Sequence, residues 1–504
     1  MKKKYNLIIY IIFCLIFMTI NILFLFNKMP HYITLEFNKT VRFILLMIMM
    51  LFEITFSSLV YILYKKKNAF EKLFLIVALS LGLLLLVLIP VGKVPDEYSH
   101  FGRAYDISMG NLMASEKGSD MPIEIATSVI SEQEYGNYSE IIKKITTENS
   151  GQTSHYVFLN TAVYNFICYI PQTIGIIVGK VFNAPVLLDA YLGRITNFIC
   201  WITLLYFSIK FIPFAKKYLI LISLLPITLQ EAVSLSPDAL TFASCVFLIS
   251  YTLYLANTKR EFVIKDYVIL SVMCIIVSLC KIVYMPVCLI LFILPKEKFK
   301  SLKDKNIKIL SLALIVITLN LSWLKIASGF LIETHPGVNP VLQKNWVLSH
   351  PFSYLKVLIM SIYTNYHFYL SSMMGQSLEL LSVDVTGFYP KISLFGLIIL
   401  TILDRFTDIF IKFKDKILFL FIVISIIVLI FTSLYIQWTP VKYPVVDGVQ
   451  GRYFLPLLCL IPLIFYNSKK RLKTYDFNYL NIYVLVYSIF ANLGAFIYIF
   501  AVNY

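Results

Sequence analysis

Charge is what this chain has least of. Only 14% of its 504 residues are Asp, Glu, Lys or Arg, against 59% hydrophobic, and the mean hydropathy is +0.80. No soluble domain of this size needs so much apolar surface, so a soluble fold is excluded first. Other signatures are missing too. The eight cysteines form no Cys-x-x-Cys pair, which removes a zinc ribbon and a disulfide framework; they read as small buried residues in helix packing. The six histidines lack His-Glu-x-x-His spacing, and there is no P-loop, dinucleotide fingerprint or internal repeat. The first apolar run follows Met-Lys-Lys-Lys without a small-residue cleavage pattern, so it is expected to remain as a span.

What is present is a series of apolar runs from end to end. This pattern predicts an all-α, polytopic transmembrane protein of about 13 spans, in a range of roughly 11 to 14. The formal charge of +16 lies in the short links: Lys2–Lys4, Lys65–Lys67, Lys259-Arg260, Lys296–Lys308, Lys412–Lys416 and Lys469–Lys473. That distribution is the positive-inside signature of cytoplasmic loops facing membrane lipids, and it calls for no nucleic acid. It predicts a cytoplasmic N-terminus and spans at Leu7–Phe26, Val41–Leu63 and Leu73–Val91. A long acidic external loop, 93–155, follows the third span.

Tyr156–Val181, broken by Pro171, Gly175 and Gly179, reads as an interfacial or re-entrant helix. Spans then follow at Leu187–Ile209, Tyr218–Gln230 and Leu240–Ala256. Two short runs, Tyr267–Leu279 and Ile282–Leu294, put Lys281 at or below the outer surface. After Ile309–Phe330 comes an external segment, 331–352, and Phe352–Leu370 reads as a helix on the outer surface. A further external segment, 371–391, precedes a span from Ile392 to Asp404-Arg405; Ile417–Tyr435 and two final spans flanking Lys469–Lys473 complete the chain. The expected division is two N-terminal helices (1–72), a membrane core (73–466) and a link with a C-terminal helix (467–504).

This topology collects the polar residues at one interface, where each ionisable group is costly and so a functional candidate. In Val94–Gly110, Pro95 suits a helix start and Asp96 and Glu97 fall at its positive end. Asp96, His100 and Arg103 share a stripe, with Glu97 on a neighbouring face. Asp96 and Glu97 have the chemistry of a general base, and they are also where a divalent cation such as Mg or Mn would sit if one is used. Arg103, Arg194, Lys281 and Arg452 have the chemistry to bind phosphate. The plain alternatives stay open: an acidic helix cap for Asp96 and Glu97, a cap for Asp238, and snorkelling to lipid headgroups for Lys281 and Arg194. Pro444, Gly448 and Gly451 describe a shaped loop that presents Gln450 and Arg452 just before a span.

Several of these motifs also carry a resemblance. Pro95-Asp-Glu97 with His100, Arg103-Ala-Tyr105, Ser108 and Gly110 resembles the signature of a bacterial membrane-protein family, domain of unknown function 2142. So do Tyr191-Leu-Gly-Arg194 with Asn197, Leu235-Ser-Pro-Asp-Ala239, Lys281 with Tyr284 and Pro286, and Val449-Gln-Gly-Arg-Tyr-Phe-Leu-Pro456. The resemblance runs from Leu73 to Pro456, and that family looks like a branch of the GT-C glycosyltransferases. It implies a GT-C-like architecture in a bacterial plasma membrane, a polyprenyl-phosphate sugar donor, and an envelope polysaccharide or glycolipid acceptor. The base would be Asp96 or Glu97, with His100, Arg103, Tyr105, Arg194, Asp238, Lys281, Gln450 and Arg452 binding substrate. A flippase of lipid-linked glycans or other anionic solutes, and a polysaccharide polymerase or ligase, are the rival expectations.

Overall fold

The computed structural model describes residues 2–32, 39–67, 69–115, 117–128, 138–330, 336–385, 387–403, 411–465 and 480–503. Helix dominates because an apolar chain with few partners for its backbone satisfies each N–H and C=O locally. The main helices are α1 Lys2–Tyr32, α2 Lys39–Lys65, α3 Phe70–Leu88, α4 Glu97–Ser108, α5 Ile170–Val181, α6 Val186–Phe211 and α7 Asp238–Asn257. They continue as α8 Ile264–Cys280, α9 Leu302–Ala327, α10 Pro340–Ser349, α11 Pro351–Met373, α12 Phe388–Leu403, α13 Phe413–Gln437 and α14 Leu480–Asn503. Among the described residues seven helices are long and apolar enough to cross a membrane, and four shorter apolar ones accompany them, as an all-α polytopic protein requires. Among the described residues the strands form two small antiparallel pairs, Ser119–Pro122 with Thr153–Tyr156 and Ser377–Leu378 with Val383–Asp384.

Three departures from a simple row of spans position the site. The stretch Tyr218–Gln230, expected as one span, is two short helices, Lys216–Ser223 and Pro226–Ala232. Pro226 has no N–H to give and disfavours helix at the residue before it, so the run breaks at Leu224-Leu225. Both pieces are buried in the core, which brings Glu231 inside the bundle. Secondly, α5 is 12 residues, about 18 Å, too short to cross a bilayer core of about 30 Å. It lies hard against α6, and a Cβ at Gly175 would stand 2.2 Å from the carbonyl oxygen of Leu192.

Thirdly, α8 turns back at Lys281 into a 3₁₀ helix, Ile282–Ile293, with Pro286 inside it. The 17 residues of α8 rise about 25 Å, and 12 residues of 3₁₀ helix descend about 24 Å, so Lys281 sits at the apex of a hairpin with legs of equal depth. Lys305 Nζ donates to the carbonyl of Phe292 at 3.2 Å and closes the far end of that leg. The same far end gathers basic links: Lys298 Nζ donates to the Arg260 carbonyl at 3.0 Å, and Arg260 pairs with Asp266 at 2.7 Å. The expected links at Asp404-Arg405 and Lys469–Lys473 lie outside the described residues.

Helix α11 runs unbroken for 23 residues but is not among the seven apolar enough to cross. The N-terminal helices α1 and α2 pack with α14 around a buried polar contact. There Asn21 Nδ2 donates to Glu53 Oε1 at 2.6 Å, and Tyr389 donates to Asn21 Oδ1.

Candidate functional site

The site begins where α3 ends at Ile89-Pro90. The chain turns through Gly92 to Asp96, whose φ of +62° is left-handed backbone that a non-glycine residue adopts only at a cost. That turn sends Asp96 and Glu97 to different surroundings. The Glu97 carboxylate is buried and fully engaged. Arg194 on α6 holds it through Nε at 2.8 Å and Nη2 at 2.7 Å, while the backbone N–H groups of Gly92 and Leu235 donate at 2.8 and 3.0 Å. Arg194 spends its remaining donors on the carbonyls of Ile89 and Pro90. The segment after Glu231 is gripped from the other side, where Asn197 and Gln172 side-chain amides donate to the carbonyls of Ser234, Leu235 and Ser236. The Glu97–Arg194 pair therefore builds the loop that carries Asp238.

Asp238 opens α7 as its first residue. Its side chain reaches Lys281 Nζ and, at 3.7 Å, Arg452 Nε. Arg452 lies in the short 3₁₀ helix Gly451–Phe454, seated on α11 by the Gly451 N–H to Ser372 Oγ bond of 3.2 Å. A side chain at Gly451 is impossible there, since its Cβ would stand 2.2 Å from the backbone nitrogen of Met373. From this seat Arg452 contacts Asp96 Oδ2 at 3.2 Å and Glu231 at 3.4 and 3.5 Å. Lys281 and Arg452 both lie over the ring of Tyr453, at 5.0 and 5.3 Å, and Tyr284 pins that residue by donating to its carbonyl at 2.8 Å. Three carboxylates thus share two cations. Arg452 is 4% exposed at its side chain while Asp96 is 49% exposed, so the cluster is buried at its back and open at Asp96.

Two flanking groups have their charge set by this burial. Burial pushes Glu231 up to about 7, with the Arg452 charge opposing. Burial pushes His100 down to about 4, so the imidazole facing the cluster is neutral; its Nδ1 lies 2.8 Å from the Tyr169 hydroxyl.

The remaining sequence candidates divide. Arg103 is turned away: it pairs with Asp106 at 2.7 Å and donates to the carbonyls of Asn111 and Leu112, tying down the end of α4. Tyr105 stacks under Lys180, 3.7 Å from the ring centroid, in the same outlying region. Arg194 serves Glu97. Gln450 lines the chamber beside Asp96. Asp96 and Glu97 do not converge, and among the described residues no group of three or more His, Cys, Asp or Glu side chains is arranged to hold a metal ion. Glu231 is the group that motif reading passed over. Its signal was an acid at the end of an apolar run, the same criterion that selected the others.

Cavities lie in front of the cluster. A chamber of about 180 Å³ is lined by Asp96, His100, Asn160, Trp438 and Gln450. It shares Tyr164, Leu434 and Tyr453 with a cleft of about 420 Å³ whose walls include Lys281, Asn320 and Trp323. Beyond it, a third cavity of about 570 Å³ runs between the 3₁₀ helix Ile282–Ile293, α9 and α13, lined by apolar side chains with Ser425 and two cysteines.

No curated protein and no solved structure matches the chain. A match to the family described as a predicted membrane protein, domain of unknown function 2142, covers residues 79–461 and with them every charged member of the cluster from Asp96 to Arg452; the chain belongs to that family.

Proposed function

We propose that this membrane protein is a glycosyltransferase that moves a sugar from a polyprenyl-phosphate-linked donor to a hydroxyl of an envelope polysaccharide or glycolipid at the outer face. One observation carries the reading: a half-exposed carboxylate, Asp96, contacts the buried Arg452 and lines a chamber that shares wall residues with a largely apolar cleft between α9 and α13, bordered by Lys281. The chemistry needs a base, an anion clamp and a place for a lipid tail, in that order along one path.

In the proposed step Asp96 accepts the proton of the acceptor hydroxyl as its oxygen attacks the anomeric carbon. The bond from that carbon to the phosphate oxygen breaks, and the phosphate leaves with the electron pair. Arg452 and Lys281 offset the charge that develops on it. Glu97 is too fully bonded to take part, which favours Asp96 over Glu97 as the base. The flippase alternative is disfavoured by the cavity between the 3₁₀ helix Ile282–Ile293, α9 and α13, whose apolar walls offer a crossing phosphate no charged partner.

The test uses purified protein in lipid with a panel of radiolabelled polyprenyl-phosphate sugars. Transfer by the wild type, lost in Asp96→Asn and Arg452→Ala while Asp96→Asn still binds donor, is the expected result. Transfer unchanged in both variants removes the assignment, and lipid-linked donor crossing the bilayer without sugar release installs the flippase. If the monophosphate-linked sugars are inert and a diphosphate-linked oligosaccharide added to the panel is consumed with release of polyprenyl diphosphate, the protein is a polymerase or ligase.

A further inference from the structure

We propose that Lys344, on α10, is the residue that recruits the negatively charged head of the lipid donor and gives the cleft its preference for a phosphate over an uncharged lipid. The inference rests on the transferase reading above and adds to it a binding residue outside every sequence motif.

Lys344 lines the same cleft as Tyr164, Lys281, Trp323, Gln437 and Tyr453. Two lysines therefore border this cavity, and they are in opposite electrostatic situations. Lys281 is compensated by Asp238, and the cluster behind it holds three carboxylates for two cations. A phosphate on first approach gains less from a lysine already paired with a carboxylate. Lys344 is exposed, and among the described residues it has no carboxylate within ion-pair distance. It is the uncompensated positive charge on the cleft wall, and so the first favourable contact for an anion.

The helix that carries it is held rigidly. Asn339 caps α10 by accepting from the Leu342 N–H at 3.0 Å. Gln343, fully buried, accepts from the Lys442 N–H at 2.8 Å, and Trp346 packs on Tyr435 with ring centroids 6.0 Å apart. With Gln343 locked inward, the neighbouring position turns to the cleft margin. Val341, Leu342 and Leu348 on the same helix stay exposed and apolar, which suits an element lying at the level of lipid headgroups. An unbranched lysine chain there can lean over the cleft while its ammonium stays wet.

The experiment uses the full-length protein in discs of phosphatidylcholine and compares binding of a short-chain polyprenyl phosphate with that of the matching polyprenol. The expected result is that Lys344→Gln weakens phosphate binding about five- to tenfold. Polyprenol binding stays unchanged, Lys344→Arg behaves as wild type, and added salt shrinks the difference. Donor KM rises in step while kcat holds within about twofold, because the contact is equal in ground and transition states. Lys344→Gln and Lys344→Glu binding the phosphate as wild type does would overturn the proposal while leaving the transferase reading intact. A wild type that binds phosphate and polyprenol equally removes both. Phosphate binding that depends on Lys344 without any sugar transfer keeps this site and removes only the transferase.

Discussion

Two acid–arginine assemblies stand back to back here, built from adjacent residues, and they are opposites. Glu97 with Arg194 is closed: contacts of 2.7 to 2.8 Å, both side chains fully buried, every carboxylate oxygen met by two donors. Asp96 with Arg452 is open: contacts of 3.2 to 3.7 Å around the guanidinium, a surplus carboxylate, a half-exposed acid and a cavity in front. A buried ion pair that is fully satisfied is scaffold, since nothing in it remains to bind a ligand. A pair left long and partly wet, on strained backbone, retains both a proton acceptor and a cation for a substrate. The lesson is that burial of charge alone does not single out candidate residues; incomplete satisfaction beside a cavity does.

The sharpest way to break this contrast is to remove one charge from each side. Asp96→Asn is expected to lower turnover by about 10² to 10⁴ with unfolding behaviour unchanged, as loss of a general base does. Glu97→Gln is expected to do the reverse. It leaves Arg194 buried without its counter-charge, at a cost of about 3 to 5 kcal/mol, visible as loss of folded protein and of thermal stability in detergent. If Asp96→Asn unfolds the protein and Glu97→Gln is merely inactive, the roles assigned here are exchanged.

A smaller effect tests the seat of the open cluster. Gly451→Ala forces the Arg452 turn away from α11, and a displacement of about an ångström is expected to cost turnover about 10²-fold. The fold should survive it, since the strain is confined to one turn; near-normal kinetics would show that the Arg452 position is not critical.

The smallest concerns pH. Because burial holds Glu231 up to about 7, the side chain is neutral below that value and leaves Arg452 more available to an anion. Donor affinity should therefore fall as pH rises through about 7, by no more than about tenfold per unit, and Glu231→Gln should flatten the profile. The sign for stability is the same. Between the ordinary carboxylate value and about 7 the folded state binds more protons than the unfolded, so stability declines as pH rises across that window. His100, held down to about 4, should add no step near neutrality. A profile that persists in Glu231→Gln would assign it to another group.

Much of this was readable from the chain. The ionisable residues flanking apolar runs marked Asp96, Asp238, Lys281 and Arg452, because the cost of a charge at membrane depth is a local property of its neighbours in sequence. The two short runs set Lys281 between two elements, and the structure has a helix on each side of it. Other expectations differ from the structure for equally physical reasons. Arg103 lies on the same helical stripe as Asp96, yet Asp106 three residues on and two nearby carbonyls claim it first. The run Tyr218–Gln230 has the hydropathy of a span, but Pro226 divides it and its two halves are buried inside the bundle.

Composition and charge order by themselves determined that this is an all-α membrane protein with its basic links segregated from its acidic loop. Hydropathy and charge are summed over neighbours, and neighbours are what a sequence supplies. Only the tertiary structure decided which of two adjacent carboxylates is enclosed by its partners and which stays exposed beside a cavity. That choice rests on the left-handed turn at Asp96 and on partners far along the chain, Arg194 for one and Arg452 for the other. Those partners meet only when the helices that carry them pack.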